Sequence, residues 1–110
     1  MGLVYATIDL INAEDKALAK NGYIKETSIR KLPVRMMVDS GAVMMAINEE
    51  IKTQLGLTAK DKQIFTLANG TVIKLEKAAG IEVNFKNRWC TTDAVVLKGN
   101  TEPLFGALPI

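Results

Sequence analysis

Alternation of apolar and polar side chains is the feature that most constrains this chain. In Val4-Tyr5-Ala6-Thr7-Ile8-Asp9-Leu10, residues 4, 6, 8 and 10 fall on one face and the more polar residues on the other. A period of two belongs to a half-buried strand and is incompatible with a helical stripe. Ile81, Val83 and Phe85 alternate with Glu82, Asn84 and Lys86 in the same way, and Trp89 to Leu97 reads as a further strand. Gln63 to Leu67 and Thr71 to Glu76 flank Ala68-Asn69-Gly70. Asn-Gly between two apolar runs is a strong hairpin signal. The expected domain is therefore mainly β.

The breaks in the alternation are also readable. Asn12 can cap Ala13 to Lys20, with Glu14 and Asp15 in the first turn and Gly22 beyond the end. An ordered helical turn and a solvated loop are equally open readings there. Tyr23 through Val38 reads as extended, two strands interrupted near Thr27-Ser28, with Pro33 marking an edge or a bulge. One segment reads firmly as a short helix. Asn48 caps it, Glu49 and Glu50 suit the positive end of its dipole, Ile47, Ile51 and Leu55 share a face, and Gly56 stops it. With 110 residues and no repeat, linker or low-complexity stretch, residues 1–110 read as one domain.

Composition enters through what it forbids. The chain has no histidine and one cysteine. That excludes a Ser-His-Asp triad, a Cys-His pair, a histidine zinc site, an internal disulfide and a thiolate cluster, so no metal or other cofactor is expected. The net charge is +2 with both signs scattered, and aromatics make up 5% without a basic stripe around them, so no nucleic-acid partner is expected. Apolar runs are far too short to span a membrane, and the N-terminus lacks the charged-then-apolar pattern of a signal peptide. A single free thiol fits a reducing cytoplasm.

The remaining chemistry is that of carboxylates, lysines, hydroxyls and the backbone, and one carboxylate stands apart. Asp39 ends the run Val34-Arg35-Met36-Met37-Val38 and leads into the uncharged Ser40-Gly41-Ala42-Val43-Met44-Met45. A carboxylate between two core-like runs is costly unless hydrogen-bonded, and desolvation raises its pKa. Gly41 permits a tight turn and the close approach of another chain. On local chemistry alone two readings stand level: a reactive carboxylate, or a plain turn in which Asp39 accepts bonds from nearby amides.

Val38-Asp39-Ser40-Gly41-Ala42 resembles the Asp-Thr/Ser-Gly-Ala signature of the retropepsin-like aspartic proteases, in a bacterial or cellular member of that family. Further features follow in the family's order: Leu55-Gly56-Leu57 at the end of the short helix, Ala68-Asn69-Gly70 at a hairpin, and Pro103-Leu104-Phe105-Gly106 as the apolar-apolar-Gly motif. The resemblance runs from about Val34 to the end of the chain, and Leu3 to Ile11 fits the first long strand. It implies the acid-protease fold, a small closed β-barrel with one short helix and a flap hairpin.

The resemblance also implies a mechanism. Such enzymes hold a water between two aspartates, one of which activates it while the other, protonated, donates to the peptide carbonyl. Two carboxylates that close share one proton, and their pKa values belong to the pair. This chain carries the motif once, so the resemblance implies a homodimeric aspartic endopeptidase with Asp39 and its symmetry mate on the axis. Ser40 would bond across to the other active-site loop, Gly41 would let the loops meet, and Ala42 would pack behind the pair. Ala68, Asn69 and Gly70 would form the tip of the flap over an extended peptide or protein substrate; an ordinary exposed turn is the alternative.

Other residues read more plainly. Met36, Met37, Met44 and Met45 are expected to fill core, Cys90 to be a buried thiol and Trp89 to anchor core or interface. Arg35 and Arg88 are candidates for a place near the aspartates. The chain departs from the family pattern at its end, where only Ala107-Leu108-Pro109-Ile110 follow Gly106, so a continuation beyond Ile110 is expected. Val43 stands where relatives carry a small polar residue. Two further readings follow: a catalytically silent retropepsin-like module for dimerisation or peptide binding, and a monomeric β-barrel scaffold.

Overall fold

The structure, a computed structural model, describes residues 4–38, 45–66, 70–99 and 103–105. Seven strands form one mixed sheet: β1 (Val4–Asn12), β2 (Lys31–Val38), β3 (Met45–Asn48), β4 (Ala59–Thr66), β5 (Val72–Phe85), β6 (Arg88–Leu97) and β7 (Leu104–Phe105). Two helices interrupt them, α1 (Ala13–Lys20) and α2 (Glu49–Leu55). The strand order is β1-β2-β7-β3-β6-β5-β4.

The alternation works as its period requires, but only over part of β1. Ile8 and Leu10 are fully buried, whereas Val4 is 60% exposed because the strand outruns the core at its N-terminal end. Met36, Met45, Ile47, Leu55, Ile81 and Val83 complete the set of large fully buried side chains, so β1, β2, β3, α2 and β5 all contribute to one core. Burying a side chain of this size stabilises by about 1.5–3 kcal/mol each.

Both asparagine caps form. The Asn12 side chain accepts from the Asp15 amide at 3.0 Å, and that of Asn48 accepts from the Ile51 amide at 2.9 Å. Gly56 ends α2 at φ +64°, a left-handed position that glycine adopts without penalty. The helix over 13–20 is therefore real, and the expectation of one short helix is corrected to two among the described residues. Its cap is buried and tied to neighbouring elements, which a local reading cannot weigh.

Three further expectations change. Residues 23–30 do not form a strand: a 3₁₀ turn at Glu26–Ser28 occupies the segment, and β2 begins at Lys31. The two strands expected over 71–85 are one, β5, whose register on β6 slips between Ala78 and Ile81, where Gly80 takes φ +76° and absorbs a bulge. The closed barrel is also corrected. β1 reaches β5 over only Asp9–Asn12, and β4 pairs with β5 alone, so the sheet curls without closing and keeps an edge. Pro33 lies in β2 opposite Asp9, on a stretch whose other side has no strand partner among the described residues, as suits an edge proline.

Candidate active site

The site is built around β7, the shortest strand. Leu104 and Phe105 run parallel to β2, with Met37 opposite Leu104 and Val38 opposite Phe105. On its other side β7 runs antiparallel to β3, with Leu104 opposite Ala46. The Met37 amide donates to the Pro103 carbonyl at 3.3 Å, fixing where β7 enters. Val38 and Met45, the two anchors of the segment between β2 and β3, therefore lie on opposite flanks of β7. Alternate strands in a sheet sit about 9.5 Å apart, a gap six residues cover easily. Met36 and Met45 are fully buried beside these anchors, as expected of core-filling methionines. Asp39, Ser40, Gly41 and Ala42, with Val43 and Met44, lie outside the described residues, and so do Ala68, Asn69 and Gly106.

The hairpin expected near Asn69-Gly70 is made by β4 and β5, whose last paired residues are Thr66 and Val72. Gly70 is the one described member of the proposed tip. It takes φ +84°, with open space where a Cβ would stand, so its conformation and not crowding calls for glycine. Sequence reading missed two exposed apolar residues on this hairpin, Ile64 at 64% and Val72 at 62%. The register puts Ile64 opposite Lys74 and Thr66 opposite Val72, so both apolar side chains share a face. That face continues inward to Ala78, which is fully buried. A hydrophobic face that leaves the core and carries on into solvent is a signal only the register reveals.

Arg35 lies on β2 with its guanidinium 5.0 Å from the centre of the Tyr5 ring, at the same end of the β1–β2 ladder as Val38. Arg88 opens β6 beside the Lys86-Asn87 turn, where both residues have positive φ, the geometry of a two-residue hairpin. Trp89 does not join the core. It is 57% exposed, and the Lys16 ammonium sits 4.4 Å over its ring while also bonding Glu82 at 2.7 Å. Cys90 is half-buried against the core, and desolvation pushes its thiol pKa up, away from the reactive thiolate.

The far end of the β1–β2 ladder is closed by a polar knot. The buried Asp15 carboxylate accepts from the Arg30 backbone amide at 3.0 Å, from Arg30 Nε at 2.8 Å and from Arg30 Nη2 at 3.0 Å. These hydrogen bonds hold the Asp15 pKa below the usual carboxylate value against the opposing effect of burial. Asn12 adds its side-chain amide to the Leu55 carbonyl at 2.8 Å and its backbone amide to the Arg30 carbonyl at 2.9 Å. A Cβ on Gly56 would meet the Arg30 guanidinium, so a larger residue there would have to displace Arg30 from Asp15 as well as adopt a left-handed φ. A half-open cavity of about 470 Å³ adjoins it, lined by Asn12, Glu14, Gly56, Leu57, Thr58, Ala79 and Gly80.

Comparison with known proteins agrees with this architecture. Residues 25–107 match the family described as "gag-polyprotein putative aspartyl protease". Among solved structures, a retropepsin-like aspartic protease from Rickettsia conorii superposes with a TM-score of 0.56 at 18% identity, over 96% of this chain and 75% of that one. At that identity the likeness is one of fold. No curated protein matches the chain. Among the described residues, no helix is long and apolar enough to cross a membrane.

Proposed function

This chain belongs to the gag-polyprotein aspartyl protease family, and from that premise we propose that it is one subunit of a homodimeric aspartic endopeptidase. The observation that carries the reading is the strand arrangement around β7. It fixes Val38 and Met45 on opposite flanks of a two-residue strand, so that Val38-Asp39-Ser40-Gly41-Ala42 follows directly from a braced strand end. A catalytic carboxylate needs such a rigid support to keep its geometry.

In the proposed dimer the two Asp39 carboxyls share one proton. The ionised one takes a proton from a bound water, which attacks the scissile carbonyl carbon, while the protonated one donates to the carbonyl oxygen. The proton taken from the water then passes to the leaving amine as the C–N bond breaks, and the other carboxylate takes back a hydroxyl proton of the intermediate, restoring the shared-proton pair. Ser40 links the paired loops, Gly41 allows their close approach and Ala42 packs behind them. The β4–β5 hairpin, with Ala68, Asn69 and Gly70 at its tip, covers an extended peptide, and Ile64 and Val72 supply apolar contact to it. The proposed setting is the cytoplasm, where Cys90 stays reduced.

Replacing Asp39 by Asn tests the proposal. The variant should keep the unfolding midpoint and the dimer seen by sedimentation equilibrium, while kcat/KM for peptide cleavage in acid falls by roughly 10²–10⁴-fold or more. Equal cleavage by parent and variant would remove Asp39 from the mechanism. Peptide binding without cleavage by the parent would favour the silent binding module instead.

A further inference from the structure

The face of the β4–β5 hairpin that carries Ile64 and Val72 also carries charge. Reading outward from buried Ala78, the same face bears Glu76, Lys74 and Val72 on β5 and Lys62, Ile64 and Thr66 on β4. Lys74 stands directly opposite Ile64, and Lys62 stands opposite Glu76. Glu76 is not free to neutralise Lys62, because Lys52 of α2 holds its carboxylate at 3.0 Å. Other lysines of the sheet surroundings have partners of their own, Lys16 with Glu82 at 2.7 Å and Lys77 with Asp93 at 3.4 Å. Lys62 and Lys74 are exposed and have no hydrogen bond or ion pair among the described residues. The result is an exposed apolar pair bracketed by two ammonium groups without counter-ions.

Resting on the endopeptidase reading above, we propose that this hairpin selects substrates in which an Asp or Glu lies two residues from an apolar residue. Side chains on one face of an extended peptide recur about every 7 Å, the same interval that separates Lys62 from Ile64 along β4. Lys74 lies closer, across the strand pair at about 5 Å between Cβ atoms, within reach of its flexible stem. An apolar side chain seated on Ile64 and Val72 therefore brings the next same-facing position of the peptide under an ammonium. A carboxylate there is attracted, a neutral amide is not, and a lysine is repelled.

Peptide pairs that differ only by Glu or Gln two residues from the apolar position test this above about pH 5, where the substrate carboxylate is ionised. Two readouts are needed: kcat/KM with the parent protein, and fluorescence anisotropy with the Asp39→Asn protein, which leaves the peptide whole. Glu should be preferred by about five-fold in both, the preference should shrink in about 0.5 M NaCl, and Lys74→Gln should weaken it. The double variant Lys62→Glu/Lys74→Glu, with its fold checked by circular dichroism, should lose or invert it. Equal treatment of the two peptides, or a preference that survives the double reversal, overturns the proposal. Glu-selective binding without any cleavage would support the selectivity while sinking the peptidase reading. Neither binding nor cleavage of any such peptide would overturn both.

Discussion

The two ends of the β1–β2 ladder are built on opposite plans. At the end where Ile11 faces Lys31, Asn12, Asp15 and Arg30 satisfy one another, and the end of α2 is drawn in through the Leu55 carbonyl and Gly56. At the end where Val4 faces Val38, the strand outruns the core, Val4 is 60% exposed, and the further brace on β2 among the described residues is the two-residue β7. One end is closed by polar contacts between elements; the other leads along the chain into Asp39. On the endopeptidase reading, stability and chemistry lie at opposite ends of one pair of strands.

Substitutions at the two ends should part accordingly. The largest effect on stability is expected from Asn12→Ala, which removes a helix cap and a buried bond to Leu55 together. It should cost about 2–3 kcal/mol, read as a drop of roughly 10 °C or more in the unfolding midpoint. If the loss is within a few tenths of a kcal/mol, the knot is not what holds this end.

A smaller and pH-dependent effect is expected from Asp15→Asn. Because folding lowers the Asp15 pKa, its contribution is fully present above the unfolded carboxyl value of about 3.9 and disappears as pH falls through the lower folded value. Parent and variant should therefore differ most at neutral pH and converge below about pH 4 in urea melts. A gap that widens in acid would reverse the assignment. The smallest effect should come from Val4→Ser at the other end, under about 0.5 kcal/mol on the isolated chain. A loss as large as that of Asn12→Ala would mean the two ends are not the separate structures described above.

How much of this could be read from the chain alone follows the range of the interactions. Local chemistry was legible: the alternation of β1, the caps at Asn12 and Asn48, the stop at Gly56 and the antiparallel pairing of the two segments around Asn69-Gly70 all rest on residues near one another in the chain. The fold class was legible too, through the Asp39 motif and its companions, and the family match bears it out. Long-range effects were not. Residues 23–30 have strand-like composition, but the pull of Asp15 on Arg30 sets their path, and they turn instead of extending. Trp89 reads as an anchor for core or interface; it stays outside the core, at the β5–β6 hairpin end, with Lys16 stacked over its ring. Ile64 and Val72 are unremarkable apolar letters until the register shows them on one exposed face.

The position of β7 has a consequence in time. It is the last described strand along the chain, yet it sits in the middle of the sheet, between β2 and β3, which are made much earlier. On a ribosome the first strands can pair with one another as they emerge, but the seam between β2 and β3 stays open until residues 103–105 arrive to fill it. Such non-local, parallel pairing is slow, on the order of milliseconds to seconds. The brace on Val38, the residue before Asp39, is therefore added only after residues 103–105 have emerged, long after Val38 itself is made.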